Sequence, residues 1–160
     1  MSLNQQSPIR TQSPARWSRH LSRCACLALL LFCGCSSFNS EWRRVGKRPV
    51  AQDSIAGRWE GRWISDVNAH TGRLRCIITS ETSGVCQARF RATYLKVLRY
   101  SYTVLLKVER RDNGWVFSGE EDLGAMAGGI YRYHGNATAM NFHSIYDSKY
   151  DRGLFEMRRP

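Results

Sequence analysis

The sequence has little of what a polytopic membrane protein or a helical bundle requires. It contains one long apolar run, at residues 24–33, and the lack of a second excludes a chain that crosses the membrane repeatedly. No stretch keeps the 3.6-residue period of a convincing amphipathic helix. Acidic residues are scarce, at 13 Asp+Glu against 24 Lys+Arg, but a hydrophobic content of 42% is ordinary for a globular chain and argues against wholesale disorder.

Motifs that carry catalysis or metal binding are also missing. There is no G-x-S-x-G elbow and no C-x-x-C cluster, and the glycine-rich stretch 124–129 lacks the Lys-Ser/Thr of a phosphate-binding loop. The carboxylates at 120–122, Asp147 and Asp151 fall at expected strand ends and turns, where such groups commonly bind backbone N–H groups. The histidines of the folded part lie on separate segments. We therefore expect no enzyme, no cofactor and no metal.

The positive charge is unevenly distributed. Residues 1–34 hold four Arg and no acid, and residues 35–50 hold four basic residues against one Glu. The remaining stretch, 51–160, has 16 basic and 12 acidic residues and is only mildly basic. Nucleic-acid binding requires a dense basic stripe, so we expect no nucleic-acid partner.

Residues 1–34 have the layout of an export signal. A basic segment precedes the apolar run at 24–33, which is too short to cross a ~30 Å hydrocarbon core as a stable helix. The run ends in Phe32-Cys33-Gly34-Cys35, which resembles the lipobox of bacterial lipoproteins. That resemblance implies cleavage before Cys35 and lipid attachment to its thiol, with the mature protein held on a membrane of the cell envelope outside the cytoplasm. An ordinary cleaved signal and a retained single-span anchor are the alternatives.

Residues 35–53 are interpreted as a basic tether. They are mostly polar around Ser36–Ser40, become basic at 43–48, and sustain no period of two or 3.6. Basic residues beside a lipid anchor are attracted to anionic headgroups. A solvated spacer is the other interpretation.

From residue 54 the period is two, which predicts strands with one buried face. Eight such segments follow one another at 55–63, 74–78, 86–92, 98–108, 115–120, 130–135, 140–146 and 154–158. Turn residues separate them, with Asn113-Gly114 as the strongest hairpin signal and Gly135-Asn136 as another. We therefore predict an all-β domain at 54–160, an eight-stranded antiparallel up-and-down barrel rather than a sandwich. The inward positions mix small residues with large aromatics, which suits a packed interior better than a lipid-facing wall.

Gly57-Arg58-Trp59 at the start of the first strand resembles the Gly-x-Trp signature of the calycins, the lipocalin- and avidin-like barrels. In those folds the Trp closes one end of the barrel and an Arg of the last strand covers it. The resemblance implies closure by Gly57 and Trp59, with Arg158 or Arg159 as the covering residue, and we assign Arg158. The chain as a whole is thus interpreted as a bacterial lipoprotein carrying a small calycin-like barrel.

Aromatic residues on the inward parity are many for a short domain. Trp63, Phe90, Tyr100, Tyr102 and Tyr131 are candidates for lining a site for one small, partly apolar ligand, although they can equally fill the core. The leading hypothesis is therefore a lipid-anchored envelope protein that binds such a ligand or an envelope component. The alternative is a structural or assembly role, in which the barrel docks on a protein partner. An empty interior favours the first, and a filled core with an exposed apolar patch favours the second.

Cys76 and Cys86 remain in the folded domain after signal cleavage. A turn centred near residue 81 would set them opposite each other on neighbouring strands, where a disulfide is feasible in an exported protein. Two small buried thiols are the competing interpretation.

Overall fold

The computed structural model of the protein describes residues 37–49, 53–82 and 84–160. Eight antiparallel strands form a closed barrel in which each strand pairs with its chain neighbours and β8 pairs with β1. The strands are β1 (Gly57–Ser65), β2 (Thr71–Thr82), β3 (Val85–Tyr94), β4 (Leu98–Arg111), β5 (Gly114–Asp122), β6 (Ile130–Ala137), β7 (Asn141–Asp147) and β8 (Arg152–Arg158). A 3-10 turn lies at Ala125–Ala127, and residues 37–45 form a helix, α1. The predicted all-β barrel is confirmed.

The period of two in the sequence is the alternation between the interior and the exterior of the barrel. In β1, Trp59 and Trp63 are buried, whereas Arg62 between them is exposed. In β7 the burial pattern alternates at every residue, with Phe142 buried and His143 exposed. Successive side chains of a strand point to opposite faces, so a closed sheet places one parity in the core and the other outside.

The two ends of the barrel differ in what they contain. We call "closed end" the end at which β1 begins and β8 finishes, where the β2–β3, β4–β5 and β6–β7 connections also lie. We call "open end" the opposite one, which carries the connections at 66–70, 95–97, 123–129 and 148–151.

The interior of the barrel is filled from the closed end to beyond its middle. Trp59, Leu74, Ala88, Leu106 and Phe142 expose none of their surface, either to bulk water or to an internal space that a water molecule could enter. Above them, towards the open end, aromatic rings are in mutual contact. The Phe90 ring centroid lies 5.3–6.1 Å from those of Tyr102, Phe155 and Tyr133.

Two turns differ from the sequence-based expectation. The β4–β5 loop consists of Asp112 and Asn113, of which only Asp112 has a positive φ, at 44°, while Gly114 already belongs to β5. Gly135 lies inside β6 and not in a turn. A Cβ atom at Gly135 would collide with the His143 carbonyl and the Phe117 ring, so this glycine permits a close approach inside the sheet.

The helix α1 was not foreseen, and the prediction of a tether without helical periodicity is wrong for residues 37–45. Phe38, Trp42 and Val45 follow the i, i+4, i+7 spacing of one helix face. Phe38 and Trp42 are buried against Ile77, an outward-facing residue of β2. Three apolar residues over two turns are a weak signal among basic neighbours, and their partner surface belongs to strands far along the chain.

Outward-facing arginines of β1, β2 and β3 hold α1 against the barrel wall. Their guanidinium carbons lie 4.9–5.7 Å from the centroids of the two aromatic rings, with Arg58 and Arg75 over Trp42, and Arg89 and Arg91 over Phe38. Arg89 also forms a 2.8 Å ion pair with Glu41 of the helix. Arginines that the sequence pattern assigns to solvent are therefore part of the packing between α1 and the barrel.

Candidate functional site

The closed end is sealed by Trp59 and Arg159. The Trp59 side chain is fully buried, and its indole N–H donates to the carbonyl of Ile55 over 3.0 Å. The Arg159 guanidinium carbon lies 4.1 Å from the centroid of the Trp59 ring. Arg158 is exposed, so the assignment of Arg158 as the covering residue is wrong by one position. The reason is the strand alternation: with Met157 facing inward, Arg158 faces out, and the chain turns over the barrel end only after it.

Arg159 ties three segments together at this end. Its two terminal nitrogens donate to the carbonyls of Ala56 and Ser54, each over 2.6 Å, and its Nε donates to the carbonyl of Ala139 over 3.3 Å. Burial lowers the pKa of the Arg159 guanidinium from its ordinary value. The group stays charged at physiological pH because an arginine pKa begins far above 7.

Gly57 has a specific role beside this arginine. Its φ is +121°, a region that side-chain-bearing residues rarely adopt, and a Cβ atom there would collide with the Arg159 guanidinium. The glycine therefore makes room for the arginine at the start of β1.

Four of the five predicted ligand-lining residues are brought together towards the open end. Tyr102 lies 5.3 Å from Phe90 and 5.7 Å from Tyr100 between ring centroids, and Tyr131 joins the group through Tyr133. The group continues through Tyr146, which lies 6.1 Å from Tyr131. Trp63 is separate. It stacks on Tyr94 and donates its indole N–H to the carbonyl of Thr93.

Exposure of these rings increases towards the opening. Phe90 and Tyr133 are buried, Tyr102 and Tyr131 are partly buried, and Tyr100 is 47% exposed. The inward parity of β6 and β7 supplies Tyr133 and Tyr146, which the candidate ligand set omitted although both lie at aromatic positions of alternating strands. The open end thus presents a shallow mouth of phenol rings above a packed core. We call it the tyrosine mouth and define it by Tyr100, Tyr102, Tyr131, Tyr133 and Tyr146.

Burial changes the pKa of two phenols in this mouth, Tyr102 and Tyr133. It raises the pKa of Tyr102 well above its ordinary value, with Tyr133 adding to the effect. It also raises the pKa of Tyr133, where the neighbouring Tyr102 hydroxyl acts in the opposite direction. The Tyr133 hydroxyl is enclosed and makes no hydrogen bond of acceptable geometry, although the Tyr102 hydroxyl is beside it. A buried hydroxyl of this kind is costly and can accept or donate one further hydrogen bond.

The β7–β8 connection closes one side of this mouth through a carboxylate network. Asp151 accepts hydrogen bonds from the hydroxyls of Ser65 over 2.6 Å and Tyr146 over 3.1 Å. Burial and the Asp151 carboxylate raise the pKa of Tyr146. The turn interpretation made for Asp151 from the sequence fits this arrangement, since its backbone N–H also pairs with Ser148.

Cys76 and Cys86 are both buried, they are not joined by a disulfide, and they do not oppose each other. In the β2–β3 register Cys76 pairs with Phe90 and Cys86 with Ser80. The β2–β3 hairpin bends later than residue 81, since β2 extends to Thr82, and the register also shifts between Ser80 and Thr82. The two thiols are therefore four strand positions apart, roughly 13 Å along a strand at ~3.3 Å per residue, and the disulfide considered for them is excluded. Burial raises the pKa of the Cys76 thiol well above its ordinary value.

A basic groove of about 390 Å³ lies on the outer wall beside the N-terminal part of α1 and opens towards the open end. We define the basic groove by its five cationic residues, Arg73, Arg75, Arg91, Lys96 and Arg99. No carboxylate is among its lining residues. Asn39 of α1 lies on one side of the groove, where its side-chain oxygen accepts a 2.8 Å hydrogen bond from Arg91. Glu60 pairs with Arg73 and Arg75 at 2.8 and 2.9 Å from outside the groove.

The open end also carries an apolar rim. Of the twelve large apolar side chains exposed in the described residues, eight lie at the open end, and the other four, Leu105, Val116, Met140 and Ile145, lie on the barrel wall or near the closed end. We define the apolar rim as the six that project from its connections and the adjoining strand starts: Val67, Leu95, Val97, Leu98, Ile130 and Tyr150. Scattered exposed apolar residues need no explanation, whereas a concentration of them at one end is typical of interaction surfaces.

Sequence reasoning missed both the basic groove and the apolar rim. The only signal was the segment 95–99, Leu-Lys-Val-Leu-Arg, in which apolar and basic residues occur together at a strand start. The remaining members come from β2, β3 and distant connections, which only the barrel topology brings together.

Other predicted elements have a clear place in the structure or fall outside it. Within residues 37–49, 53–82 and 84–160, no three His, Cys, Asp or Glu side chains are grouped so that they could hold a metal ion. In the same ranges, no helix is long and apolar enough to cross a membrane. Cys35 and the signal at 1–34 lie outside the described residues.

No family model matches the chain, and no curated protein or solved structure is similar enough to be identified as a relative.

Proposed function

We propose that this protein is a non-catalytic, lipid-anchored component of a bacterial cell envelope that works by docking through the open end of its barrel. The observation that carries the docking role is the combination of a filled interior with an apolar rim confined to one end. A protein that encloses its ligand needs internal space, which the residues around Trp59 and Leu106 do not provide. Burying the apolar rim against another surface is favourable in proportion to the area removed from water.

The anchor is supported by the sequence. Cys35 follows an apolar run and a short lipobox-like motif, and it precedes the first described residue of α1, Ser37, by only two residues. Two residues of chain span at most about 7 Å. A lipid on Cys35 would therefore hold Ser37, and with it the barrel wall that α1 covers, close to the membrane surface.

The anchor is tested by labelling. Cells given a palmitate analogue should incorporate it into the wild-type chain and not into Cys35→Ala, because the lipid is attached to that thiol. Cys33→Ala, in which the preceding cysteine is removed, should be labelled like the wild type. Equal labelling of the wild type and Cys35→Ala would refute lipid anchoring at this position.

A small, partly apolar ligand at the tyrosine mouth is the second candidate function. It is favoured by the buried Tyr133 hydroxyl, which has no hydrogen bond of acceptable geometry, and by the partly exposed rings of Tyr102 and Tyr131 above it. The Gly57, Trp59 and Arg159 arrangement adds support, because it matches what the resemblance to calycins implies for a barrel closed at one end. The test is to screen small phenol- or amide-bearing compounds for an increase in the melting temperature of the protein. A compound that raises the melting temperature of the wild type but not of Tyr133→Phe would establish this function.

A further inference from the structure

We infer that the basic groove and the apolar rim together form a docking face for the surface of an anionic phospholipid bilayer. The inference deepens the proposed function by naming what the open end docks on, and it takes only its orientation argument from the proposed anchor. Its two components recognise the two layers of such a surface: cations bind the phosphate-bearing headgroups, and apolar tips enter the boundary between headgroups and acyl chains.

The charge of the groove favours an anionic partner. Five cationic side chains line it and no carboxylate does. Arg73 and Arg75 are partly balanced by Glu60, and Arg91 is engaged with Phe38 and Asn39. Lys96 and Arg99, by contrast, form no ion pair with any described residue. These two are therefore available to a negatively charged surface.

The β3–β4 hairpin joins the groove to the rim. Lys96 and Arg99 face the groove, whereas Leu95, Val97 and Leu98 of the same five-residue segment are 60–75% exposed as part of the rim. A lysine or arginine whose stem lies along apolar neighbours keeps its charge at the headgroup level while those neighbours are buried. A membrane interface accommodates this mixture, whereas the core of a protein–protein interface is depleted of lysine.

The rim extends beyond this hairpin. Val67 from the β1–β2 connection, Ile130 at the start of β6 and Tyr150 from the β7–β8 connection lie at the same end, so a flat surface can meet several connections at once. Tyr is an amphipathic residue that is common at membrane–water interfaces. Contact with a flat bilayer surface does not require a concave pocket, whereas binding of a single peptide would.

The backbone of the hairpin is held in an uncommon conformation. Leu95 and Lys96 have φ values of 49° and 65°, where Asn and Gly are the favoured residues. Two side-chain-bearing residues in this region cost stability without adding packing, because both side chains are exposed. Backbone conformations of this kind are concentrated at functional sites, so the conformation of Leu95 and Lys96 points to a role of the hairpin in binding rather than in stabilising the barrel.

The position of α1 agrees with this orientation. Asn39, two residues after Ser37, lines the basic groove. If Cys35 carries a lipid, the groove therefore lies within a few residues of chain from the membrane. Arg43 of the same helix is exposed and adds positive charge to the wall that α1 covers, whereas the neighbouring Arg44 is paired with Glu41.

The test is flotation of the full chain with lipid vesicles, using Cys35→Ala as the background so that failure of the lipid anchor has no effect on the result. The readout is the ratio of binding to vesicles of phosphatidylglycerol with phosphatidylcholine over binding to phosphatidylcholine alone. Any contribution of the apolar run at 24–33 to binding is shared by both vesicle types and cancels in this ratio. The four arginines of residues 1–34 raise the ratio equally in every variant, so their contribution cancels when variants are compared. We expect the ratio to be well above one and to fall as salt is raised.

Two double variants separate the components. Lys96→Gln/Arg99→Gln should lower the ratio by roughly 25-fold, since each cation near an anionic surface contributes about fivefold. The matched control Lys107→Gln/Arg111→Gln removes the same charge from β4, nearer the closed end, and should change the ratio by less than about threefold at moderate salt. Leu95→Ser/Val97→Ser should weaken binding to anionic vesicles more than Leu105→Ser/Ile145→Ser, which alters exposed residues of the barrel wall.

Other outcomes overturn the inference. A ratio near one for the background chain, or equal losses in Lys96→Gln/Arg99→Gln and its control, would exclude a specific docking face for anionic lipid. A second experiment is crosslinking in cells.

A photo-reactive residue introduced at position 97 of the wild-type chain should yield adducts of lipid mass. Adducts of protein mass in their place would assign the open end to a protein partner and overturn the inference. Circular dichroism of each variant confirms that the barrel is retained.

Discussion

At the closed end, Trp59 is fully buried, Arg159 covers its ring, and Gly57 leaves room for the arginine because it has no Cβ atom. At the open end, by contrast, Leu95 and Val97 are exposed on a hairpin that contains two positive φ values. At the closed end the aromatic and cationic residues contact each other. The open end leaves the same two kinds of residue facing outward. This difference indicates that the closed end stabilises the fold, whereas the open end is available for interaction.

The largest expected effect is on the closed end. Trp59→Ala should lower the free energy of unfolding by about 3–5 kcal/mol, because a large buried ring is replaced by a cavity that the barrel cannot collapse around. Urea denaturation measures it. The matched variant Tyr100→Ala, at the half-exposed rim of the tyrosine mouth, should change stability by no more than about 0.5–1 kcal/mol. Comparable losses in both variants would remove the distinction between the two ends.

The next prediction separates two adjacent arginines. Arg159→Met should cost about 2–3 kcal/mol, because it removes charged hydrogen bonds to the carbonyls of Ser54, Ala56 and Ala139 and the contact with the Trp59 ring. Arg158→Met, at the exposed neighbouring position, should stay within about 0.5 kcal/mol of wild type. Thermal or urea unfolding of the two variants side by side gives the comparison. The reverse order would restore the original assignment of Arg158.

The barrel was predictable because its signal is local. Trp59 and Trp63 in β1, or Phe142 and Tyr146 in β7, report their own face of the sheet through the period of two, and nothing distant is needed to interpret them. The closed end was predictable from Gly57 and Trp59 together with a terminal arginine, and only the choice between adjacent positions was wrong.

What could not be predicted depends on register and on packing between distant segments. Cys76 and Cys86 are each correctly placed inside, yet a later bend and a register shift separate them. In α1, Phe38 and Trp42 become a helix face only because outward-facing residues of β2 and β3 receive them. The basic groove likewise joins β2, β3, β4 and α1, and no spacing along the chain predicts that combination.

The open end offers a gain of stability. Replacing Leu95-Lys96 with Asn-Gly should raise the free energy of unfolding by about 1–2 kcal/mol, since Asn and Gly accept the positive φ values that cost an ordinary residue about that much. The same variant should bind anionic vesicles more weakly, because it loses one rim residue and one groove cation. Asp112→Gly, at the single positive φ of the β4–β5 turn on the closed end, should change stability by less and leave vesicle binding unaltered. No gain at Leu95-Lys96 would mean that this hairpin is not strained.

The smallest expected effect concerns Glu60, which links the barrel wall to the basic groove. Its carboxylate accepts hydrogen bonds from Arg73 over 2.8 Å and Arg75 over 2.9 Å. Burial acts to raise the pKa of Glu60, but the hydrogen bonds and charges of the two arginines outweigh it, so the pKa lies below the ordinary value of 4.5. A carboxylate with a lowered pKa in the folded state stabilises the protein fully above its unfolded pKa, and this contribution is lost as the pH falls through the folded pKa.

Glu60→Gln should therefore reduce the free energy of unfolding by less than about 1 kcal/mol at pH 7, since the group is partly exposed, and the difference from wild type should shrink as the pH falls below 4.5. The same change releases Arg73 and Arg75 from their partner, so affinity for anionic vesicles should rise while stability falls. Glu109→Gln, which removes the carboxylate paired with Arg111 near the closed end, adds the same net charge without enriching the groove. If Glu60→Gln and Glu109→Gln raise vesicle affinity equally, the effect is one of net charge alone, and the basic groove is not the surface that meets the lipid.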